Sequence, residues 1–435
     1  MNRTRIAFFL FFSVVILLSF LACDNQKKGR TGSNNGSDKE IIEILVEAEN
    51  FSASHGDLAI TTLDSGDTIV KTASGGWLAF DVEIPVAGRY ISQIKIASQG
   101  DDTSSCWIED YYDNKDGRTY NITGNIPFSG TGPDEEWNTL TRDGSPLNSG
   151  LHKIKLHFDN GDLKIDWIKF TLLKEHRITP EFLVQNTSGD NWVLVWSDEF
   201  EGEGIPDTTK WLFDIGDWGW GNNERQYYTE DRPENARLEN GNLVIEARKN
   251  DLGHEWTSAR LTTRGKVSFV YGKIEFRAKV PPNRGNWAAG WTLGDAYVDE
   301  ISWPYCGEID ILESVGFEMD DASGNGKAHA SIHCGAYYFK LGNQPTGIID
   351  VKNMHEEFHT YTLEWMPDEI KAFVDGQKYF TYSDTSSDLS WPYDKPQNII
   401  LNLAMGGGWG GAQGMDEDMT SQQFIIDYVR VYELQ

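Results

Sequence analysis

Cysteine is scarce in this chain of 435 residues, which contains only four. Cys23 lies at the end of an N-terminal apolar stretch, which leaves Cys106, Cys306 and Cys334, an odd number. At most one bridge can form among these three, so we do not expect a disulfide framework. We expect free, buried thiols instead.

Positive charge is also in short supply. The chain has 38 Lys and Arg residues against 67 Asp and Glu residues, for a net charge of −29. No basic cluster is longer than Lys27-Lys28. Such an acidic protein repels polyanions. Nucleic-acid binding and a heavily sulfated polysaccharide substrate are therefore both disfavoured.

Long apolar runs are missing except at the N-terminus. Arg3 and Arg5 precede an apolar run over residues 6–22, which is short for a transmembrane span. Leu21-Ala22-Cys23 resembles a bacterial lipobox, although Phe20 stands where leucine is commoner. We therefore expect residues 1–22 to be a lipoprotein-type signal peptide and Cys23 to be lipidated. A plain cleaved signal and an uncleaved anchor are the alternatives, and all three imply export.

Helix-length amphipathic patterns are absent, and short alternating strands take their place. Residues 23–41 are polar and predict a flexible tether. Residues 42–174 predict a β-sandwich, because runs such as 77–84 alternate apolar and polar side chains. After a predicted linker at 175–191, residues 192–435 continue the all-β pattern with Asn-Gly and Asp-Gly hairpin turns. The predicted fold class is all-β, with a β-sandwich module followed by a larger two-sheet sandwich.

Three acidic residues are clustered in one apolar, β-forming segment. Glu308 and Asp310 share a face of a regular strand, whereas Glu313 would point away. A β-bulge at Ile311-Leu312 would return Glu313 to the same face. Desolvation and like-charge repulsion oppose such an arrangement, which suggests that chemistry requires it. A solvated acidic edge and a calcium site are the alternatives.

The spacing of these acids points to glycoside hydrolysis with retention. With the bulge, Glu308 and Glu313 would lie near the ~5–5.5 Å separation of retaining enzymes. We assign Glu308 as the nucleophile and Glu313 as the general acid and then base. Asp310 is the assisting residue, which shares a proton with Glu308 and keeps Glu313 protonated. The spacing alone also permits the two glutamates to exchange roles.

The segment from Glu308 to Glu313 resembles the bulged E-x-D-x-x-E signature of glycoside hydrolase family 16. The resemblance covers residues 192–435, including the segments 195–200, 221–228, 271–277, 358–365 and 427–432, which are similar to the laminarinase branch. It implies a β-jelly roll with an open cleft and endo-acting cleavage of β-1,3-glucan, with mixed β-1,3/1,4-glucan as a further substrate. An agarase- or carrageenase-type galactan hydrolase, a transglycosylase and an inactive glycan-binding lipoprotein are the alternatives.

The same resemblance implies further site residues. Trp303 would be the sugar-stacking floor, and His333 would approach the reacting sugar. The candidates for the non-reducing subsites are Asn223, Arg264, Trp287 and Trp291. Glu199, Asp427 and the Gly241 carbonyl match a structural calcium site, whose oxygen ligands suit this ion. The segments 287–291 and 295–302 depart from the laminarinase pattern, which leaves fine specificity open.

The first domain resembles a family 6 carbohydrate-binding module in the segments 46–51, 75–80, 87–90 and 165–168. Glu47, Glu49 and Asp166 match that family's calcium ligands. Lys164 and Ile69 replace expected sugar-binding residues, so this resemblance does not settle glucan binding by the module. In all, we expect structural calcium but no catalytic cofactor, a neutral β-glucan as partner, and a monomer.

Lipidation of Cys23 is directly testable. Cells fed labelled palmitate should incorporate the label into this protein and retain it in the membrane fraction, because a thioether-linked lipid anchors the chain. The Cys23→Ser variant should carry no label, whereas label that persists in this variant would contradict the assignment.

Overall fold

The computed structural model describes residues 41–98, 103–111, 119–130, 136–160, 162–320 and 322–435. The predicted signal peptide, Cys23 and nearly all of the tether lie outside these residues. Strands dominate the described chain, with short 3-10 helices at Ala48–Asn50, Gly316–Glu318 and Phe339–Leu341. None of the described helices is long and apolar enough to cross a bilayer. The all-β prediction is confirmed.

The N-terminal module is a sandwich of two antiparallel sheets. Its described strands are β1 (Glu43–Glu47), β2 (Ala53–His55), β3 (Leu58–Thr62), β4 (Thr68–Thr72), β5 (Gly76–Ile84), β6 (Gly88–Ser98), β7 (Ser104–Tyr111), β8 (Thr119–Asn121), β9 (Ile126–Phe128), β10 (Asn138–Leu147), β11 (Gly150–Phe158) and β12 (Leu163–Glu175). One sheet has the order β10-β6-β12-β4-β3, with β1 beside β12, and the other has the order β2-β5-β11-β7-β8, with β9 beside β7.

The module's core follows from the period-two pattern of its strands. Along β11, Ile154, Leu156 and Phe158 are buried, whereas Lys153 and Lys155 are partly exposed. These apolar side chains face those of the other sheet, including Ile94 and Phe170, in one contiguous core.

The C-terminal domain is a larger sandwich. Its described strands are β13 (Phe182–Val184), β14 (Trp192–Asp198), β15 (Leu212–Phe213), β16 (Gln226–Tyr228), β17 (Ala236–Glu239), β18 (Asn242–Asp251), β19 (His254–Ser258), β20 (Arg260–Thr262), β21 (Ser268–Val270), β22 (Gly272–Lys279), β23 (Asn286–Gly294), β24 (Glu308–Val315), β25 (Gly326–His333), β26 (Thr346–Val351), β27 (His359–Trp365), β28 (Ile370–Val374), β29 (Gln377–Tyr382), β30 (Gln397–Met405) and β31 (Ser421–Leu434).

Two sheets enclose the core of this domain. The acid-bearing sheet has the order β13-β21-β30-β23-β24-β25-β26, with β20 and β15 attached beside β30. The opposite sheet has the order β16-β19-β18-β31-β22-β27-β28-β29, with β14 and β17 attached. The sheets approach closely at Gly290, where an added Cβ would lie 2.3 Å from the Phe276 ring. A small residue is therefore required next to the acid-bearing strand β24.

The predicted linker at 175–191 is more structured than expected. Within it, β13 pairs in parallel with β21, and the Gln185 amide donates to the Val270 carbonyl at 3.0 Å. Part of this segment thus forms an edge strand of the acid-bearing sheet in the C-terminal domain.

The two domains also contact each other directly. The Asp143 amide donates to Asp217 Oδ1 at 2.9 Å, and the Asp217 amide donates to the Asp143 carbonyl at 3.0 Å. Lys174 Nζ donates to the Phe213 carbonyl at 3.2 Å. Asp143 lies in β10, Lys174 in β12 and Phe213 in β15, so these bonds join strands of the module to the C-terminal domain.

The three described cysteines, Cys106, Cys306 and Cys334, are free and buried, as expected.

Candidate active site

A β-bulge organises the acid-bearing strand. Between β23 and β24, Leu312 pairs with Gly290 and Asp310 pairs with Trp291, which leaves Ile311 as an extra residue. The register with β25 shifts over the same interval. The bulge predicted at Ile311-Leu312 is confirmed, and Glu308, Asp310 and Glu313 all line one cleft.

Glu308 lies among groups that stabilise its negative charge. Trp303 Nε1 donates to Glu308 Oε2 at 2.9 Å. His333 Nε2 lies 3.9 Å from Glu308 Oε1 and 3.4 Å from Asp310 Oδ2. His333, on the neighbouring strand β25, thus lies beside the acid cluster.

Glu313 is held separately from Glu308. Trp287 Nε1 donates to Glu313 Oε1 at 3.2 Å, and the Trp287 ring packs edge-to-face against Trp409. Each glutamate therefore has its own indole donor, which orients the two carboxyl groups independently.

Burial raises the pKa values of all three acids. Desolvation, followed by the charge of Asp310, raises the pKa of Glu308 to about 8. Desolvation likewise raises the pKa of Asp310 and of Glu313, and the charge of Asp310 adds to the rise at Glu313. These groups therefore share protons at neutral pH rather than all being ionised.

The surroundings indicate where the remaining negative charge resides. His333, the hydrogen bond from Trp303 and Arg260 each oppose the rise in the pKa of Glu308. Glu308 is therefore the acid whose surroundings best accommodate a negative charge while Asp310 and Glu313 hold protons. This distribution fits a nucleophile at Glu308 and an acid at Glu313.

The cleft above these acids has a volume of about 520 Å³, within the range of ligand sites. It is strongly aromatic. Its aromatic lining residues are Trp218, Trp220, Trp287, Trp291, Tyr297, Trp303, Phe339 and Trp409, with His329 and His333 beside them. Flat apolar rings interspersed with polar groups suit the faces and hydroxyl groups of sugars.

Two predicted subsite residues are not in this cleft. Arg264 is buried and donates to Asp214 behind the cleft wall. Asn223 lines a separate cavity between the two domains. Their neighbours Arg260 and Asn222 line the cleft instead. Arg260 and Arg264 are an even number of residues apart, so the alternation of side chains along a strand could not show which of them faces the cleft.

Several cleft residues were missed from the sequence. Glu224 and Glu300 both line the cleft, and burial raises the pKa of Glu224 to about 7. Arg260 lies 4.7 Å from the Trp291 ring centroid and 4.9 Å from that of Trp220. The clusters 218–224 and 297–300 are rich in Trp, Tyr and Glu, which was the only signal available for them.

The acid cluster also brings potential metal ligands together. Among the described residues, Glu308, Asp310 and His333 bring potential ligand atoms within 4.8 Å of one another. Glu313 belongs to the same cleft but not to this triplet. The indole N–H groups that donate to both glutamates fit proton chemistry better than a cation site, because each of them occupies a carboxylate oxygen.

The predicted calcium ligands of the C-terminal domain are engaged by arginines. Arg430 donates to both oxygens of Glu199, at 3.0 and 2.7 Å, and Arg277 pairs with Asp427. In this arrangement the carboxylates of Glu199 and Asp427 do not fit calcium, because its ligand oxygens would face guanidinium groups.

The predicted calcium ligands of the module fit better. The buried oxygen Oε2 of Glu49 has no hydrogen-bond partner. Burial and the nearby charges of Glu49, Asp166 and Asp67 raise the pKa of Glu47. Asp166 accepts a bond from Lys95 at 2.8 Å. An unsatisfied buried oxygen beside mutually repelling carboxylates is the donor set that a calcium ion would relieve.

Comparison with known proteins also indicates a glycoside hydrolase. The family model described as glycosyl hydrolases family 16 matches residues 223–430. A beta-glucanase from Rhodothermus marinus is 47% identical over 56% of this chain and 85% of its own length. A glucan endo-1,3-beta-glucosidase from Cryptopygus antarcticus is 37% identical over 55% of this chain and 91% of its own length.

The solved laminarinase structure from Rhodothermus marinus superposes on 56% of this chain and 98% of its own, with a TM-score of 0.52. In the N-terminal module, the model for carbohydrate binding module family 35 matches residues 54–170. The module's expected function class is thus supported, whereas its assignment to family 6 is not confirmed.

The raised pKa values predict a pH-dependent stability effect. Folding raises the pKa of Glu308 from 4.5 to about 8, so the native state binds this proton more tightly than the unfolded state. Its contribution to stability is complete below the unfolded pKa and is lost as pH rises towards about 8. Glu308→Gln should therefore raise Tm relative to wild type increasingly across this interval.

The matched control is Glu417→Gln at an exposed site, whose Tm should follow that of wild type at every pH. A Glu308→Gln difference that stays constant with pH would contradict the raised pKa.

Proposed function

The chain belongs to glycosyl hydrolase family 16, and from that premise we propose that it is an endo-acting, retaining glycoside hydrolase of β-1,3-glucan. The observation that carries the proposal is the set of three acids on one bulged strand, in a cleft lined by tryptophans. Mixed β-1,3/1,4-glucan is proposed as a further substrate.

In the first step, Glu308 attacks the anomeric carbon and a glycosyl–enzyme ester forms. The glycosidic C–O bond breaks, and the proton of Glu313 passes to the departing oxygen. Asp310 lies between the two glutamates and stays protonated, so it does not repel the negative charge of Glu308. The Trp303 indole, 2.9 Å from Glu308, orients the attacking oxygen.

In the second step, water attacks the same carbon and its proton passes to Glu313, which is now a carboxylate. The ester bond to Glu308 breaks, and the sugar is released with its original anomeric configuration. Two inversions at one carbon account for retention.

The cleft supports a neutral glucan. Tryptophan faces offer stacking area without charge, and the protein's net charge of −29 disfavours sulfated galactans. The inactive-lipoprotein alternative loses support, because all three acids line the cleft.

We further propose that the N-terminal domain is a carbohydrate-binding module with a structural calcium ion held by Glu47, Glu49 and Asp166. The unpartnered oxygen of Glu49 supports this assignment. The protein would act at the bacterial cell envelope, anchored through Cys23 and the tether.

The activity is tested with laminarin. The wild type should release laminari-oligosaccharides, and Glu308→Ala should lose roughly three or more orders of magnitude in kcat/KM, because the covalent step disappears. Reducing-end release is the measurement, with agarose and carrageenan as comparison substrates. Activity on a galactan alone would contradict the glucan proposal.

The roles of the two glutamates are separated by azide rescue. Azide added to Glu308→Ala should give an α-glycosyl azide, because it attacks directly from the vacated face. Azide added to Glu313→Ala should give a β-glycosyl azide, because it replaces water at the glycosyl–enzyme ester. The reverse pattern, read by NMR, would exchange the two roles.

Calcium binding by the module is tested by thermal unfolding. Calcium added to the chelator-treated protein should raise Tm, with a stabilisation of about 2.7 kcal/mol at one hundred times Kd. Glu49→Gln should abolish this shift, and Glu199→Gln should retain it. A shift lost only in Glu199→Gln would place the ion in the C-terminal domain instead.

A further inference from the structure

A second cavity lies where the two domains meet, next to the catalytic cleft. Its volume is about 720 Å³, within the range of ligand sites. Loops of the C-terminal domain form one part of its lining, including Asp217 and His254. The module contributes the other part, which consists of Thr123, Gly124, Asn125, Pro127 and Arg142. Neither domain alone therefore makes this cavity.

The interdomain cavity adjoins the catalytic cleft at Glu224 and Gly408, which line both. The Gly408 amide donates to the Asn222 carbonyl at 2.8 Å, which joins the two loops at this point. Gly408 is exposed, and a Cβ added there would meet no atom closer than the Asn222 carbonyl oxygen, at 3.7 Å. The junction is therefore open to solvent, and a chain that leaves the cleft on this side reaches the interdomain cavity directly.

Close contacts join the two sides of the interdomain cavity. The loop of residues 122–125 packs on the loop of residues 217–221, where a Cβ added to Gly124 would lie 3.2 Å from the Trp218 carbonyl oxygen. Next to Arg142 in the chain, the Asp143 amide donates to Asp217 Oδ1 at 2.9 Å. The module residues of the cavity are thus held at a defined position relative to the C-terminal domain.

The lining suits sugar hydroxyl groups rather than ring faces or ions. None of the described residues that line this cavity is Trp, Tyr or Phe, in contrast to the cleft. Arg225 Nε lies 3.0 Å from Glu255 Oε2, so these two charges offset each other. Asp217 Oδ2 lies 3.5 Å from His254 Nδ1 and 3.9 Å from Arg142 Nη1. A hydroxyl group can therefore donate to Asp217 and accept from Arg142 at the same time.

Asn125 adds a second polar side chain from the module. It is exposed, and its Oδ1 accepts a hydrogen bond from Asn121 Nδ2 at 3.2 Å. This bond orients the Asn125 amide, whose amino group can then donate to a ligand hydroxyl.

We propose that the interdomain cavity is a distal glucan-binding site, which extends the catalytic cleft and takes further glucosyl units of the same chain. Arg142 and Asn125 bind hydroxyl groups there, so the module takes part directly in substrate binding. The junction at Gly408 is open, as endo-acting cleavage requires, and the site strengthens binding only of chains long enough to span both cavities. The proposal holds for either direction of the chain in the cleft. This inference rests on the proposed function.

The test measures kcat/KM of the full chain on substrates of increasing length, from laminaritetraose to laminarin. In the wild type, kcat/KM should keep rising until the substrate fills both cavities. In Arg142→Ala, the ratio of kcat/KM on laminarin to that on laminaritetraose should fall roughly tenfold, because a hydrogen bond from a charged donor is lost. In Asn125→Ala, the same ratio should fall roughly threefold to fivefold, because the lost donor is neutral.

The matched control is Lys153→Ala, which removes a module cation paired with Asp81 at 3.0 Å that does not line the cavity. Its ratio should equal that of the wild type. Circular dichroism and Tm establish that each variant is folded. Asn125→Ala keeps the test decisive if Arg142→Ala does not fold, because Asn125 is exposed.

The outcomes distinguish this inference from the proposed function. An unchanged ratio in the folded variants would overturn the distal site. An equal loss of kcat/KM at every substrate length would overturn it too, because the substitutions would then act through the catalytic cleft. A wild type that hydrolyses neither laminarin nor laminari-oligosaccharides would instead overturn the proposed function.

Discussion

The burial of three carboxyl groups on one strand is the constraint on which the site depends. Desolvation dominates the rise in their pKa values, with mutual repulsion added to it. Such a cluster opposes folding whenever its members ionise, so the surrounding sandwich must supply the compensating stability. The continuous core beneath β24, with Ile309, Ile311 and Leu312 at most 1% exposed, provides it. The position of β24 therefore has two consequences. Its core-facing side chains are tightly packed, and the pKa values of its cleft-facing acids are raised.

The β-bulge in this strand brings all three acids to the cleft. Without the extra residue, Glu313 would lie on the core face, where an acid has no partner. With it, the strand presents Glu308, Asp310 and Glu313 to the cleft and still gives its apolar side chains to the core. The two indole donors then differentiate chemically similar glutamates, because Trp303 belongs to the segment before the strand and Trp287 to the neighbouring strand.

Local sequence patterns were sufficient to predict the strands, the bulge and the three acids, because each of these depends on residues close in sequence. Alternation over residues 77–84 identified β5, and the i, i+2, i+5 spacing of the acids required the bulge. The subsite residues were harder, since they converge from distant loops. The predicted subsite residue Arg264 is buried against Asp214, whereas Arg260, which the sequence did not single out, lies between the Trp220 and Trp291 rings. The contacts of Arg89 with Trp218, Trp220 and Tyr297 could not be foreseen at all, because nothing near Arg89 in sequence indicates that it packs against another domain.

The module also contacts the segment 295–302, two of whose residues, Tyr297 and Glu300, line the cleft. A loop that lines a cleft must keep its shape while presenting polar atoms to a ligand, which is difficult on one domain's surface. Here Tyr297 and Glu300 bond to each other, and the guanidinium of Arg89 lies behind the Tyr297 ring. Because Arg89 is buried and cationic, it can balance the charge of Glu300 in a way that water would not. Tyr297 and Glu300 in one domain and Arg89 in the other therefore form a single buried contact beside the cleft, and the shape of this loop depends on both domains.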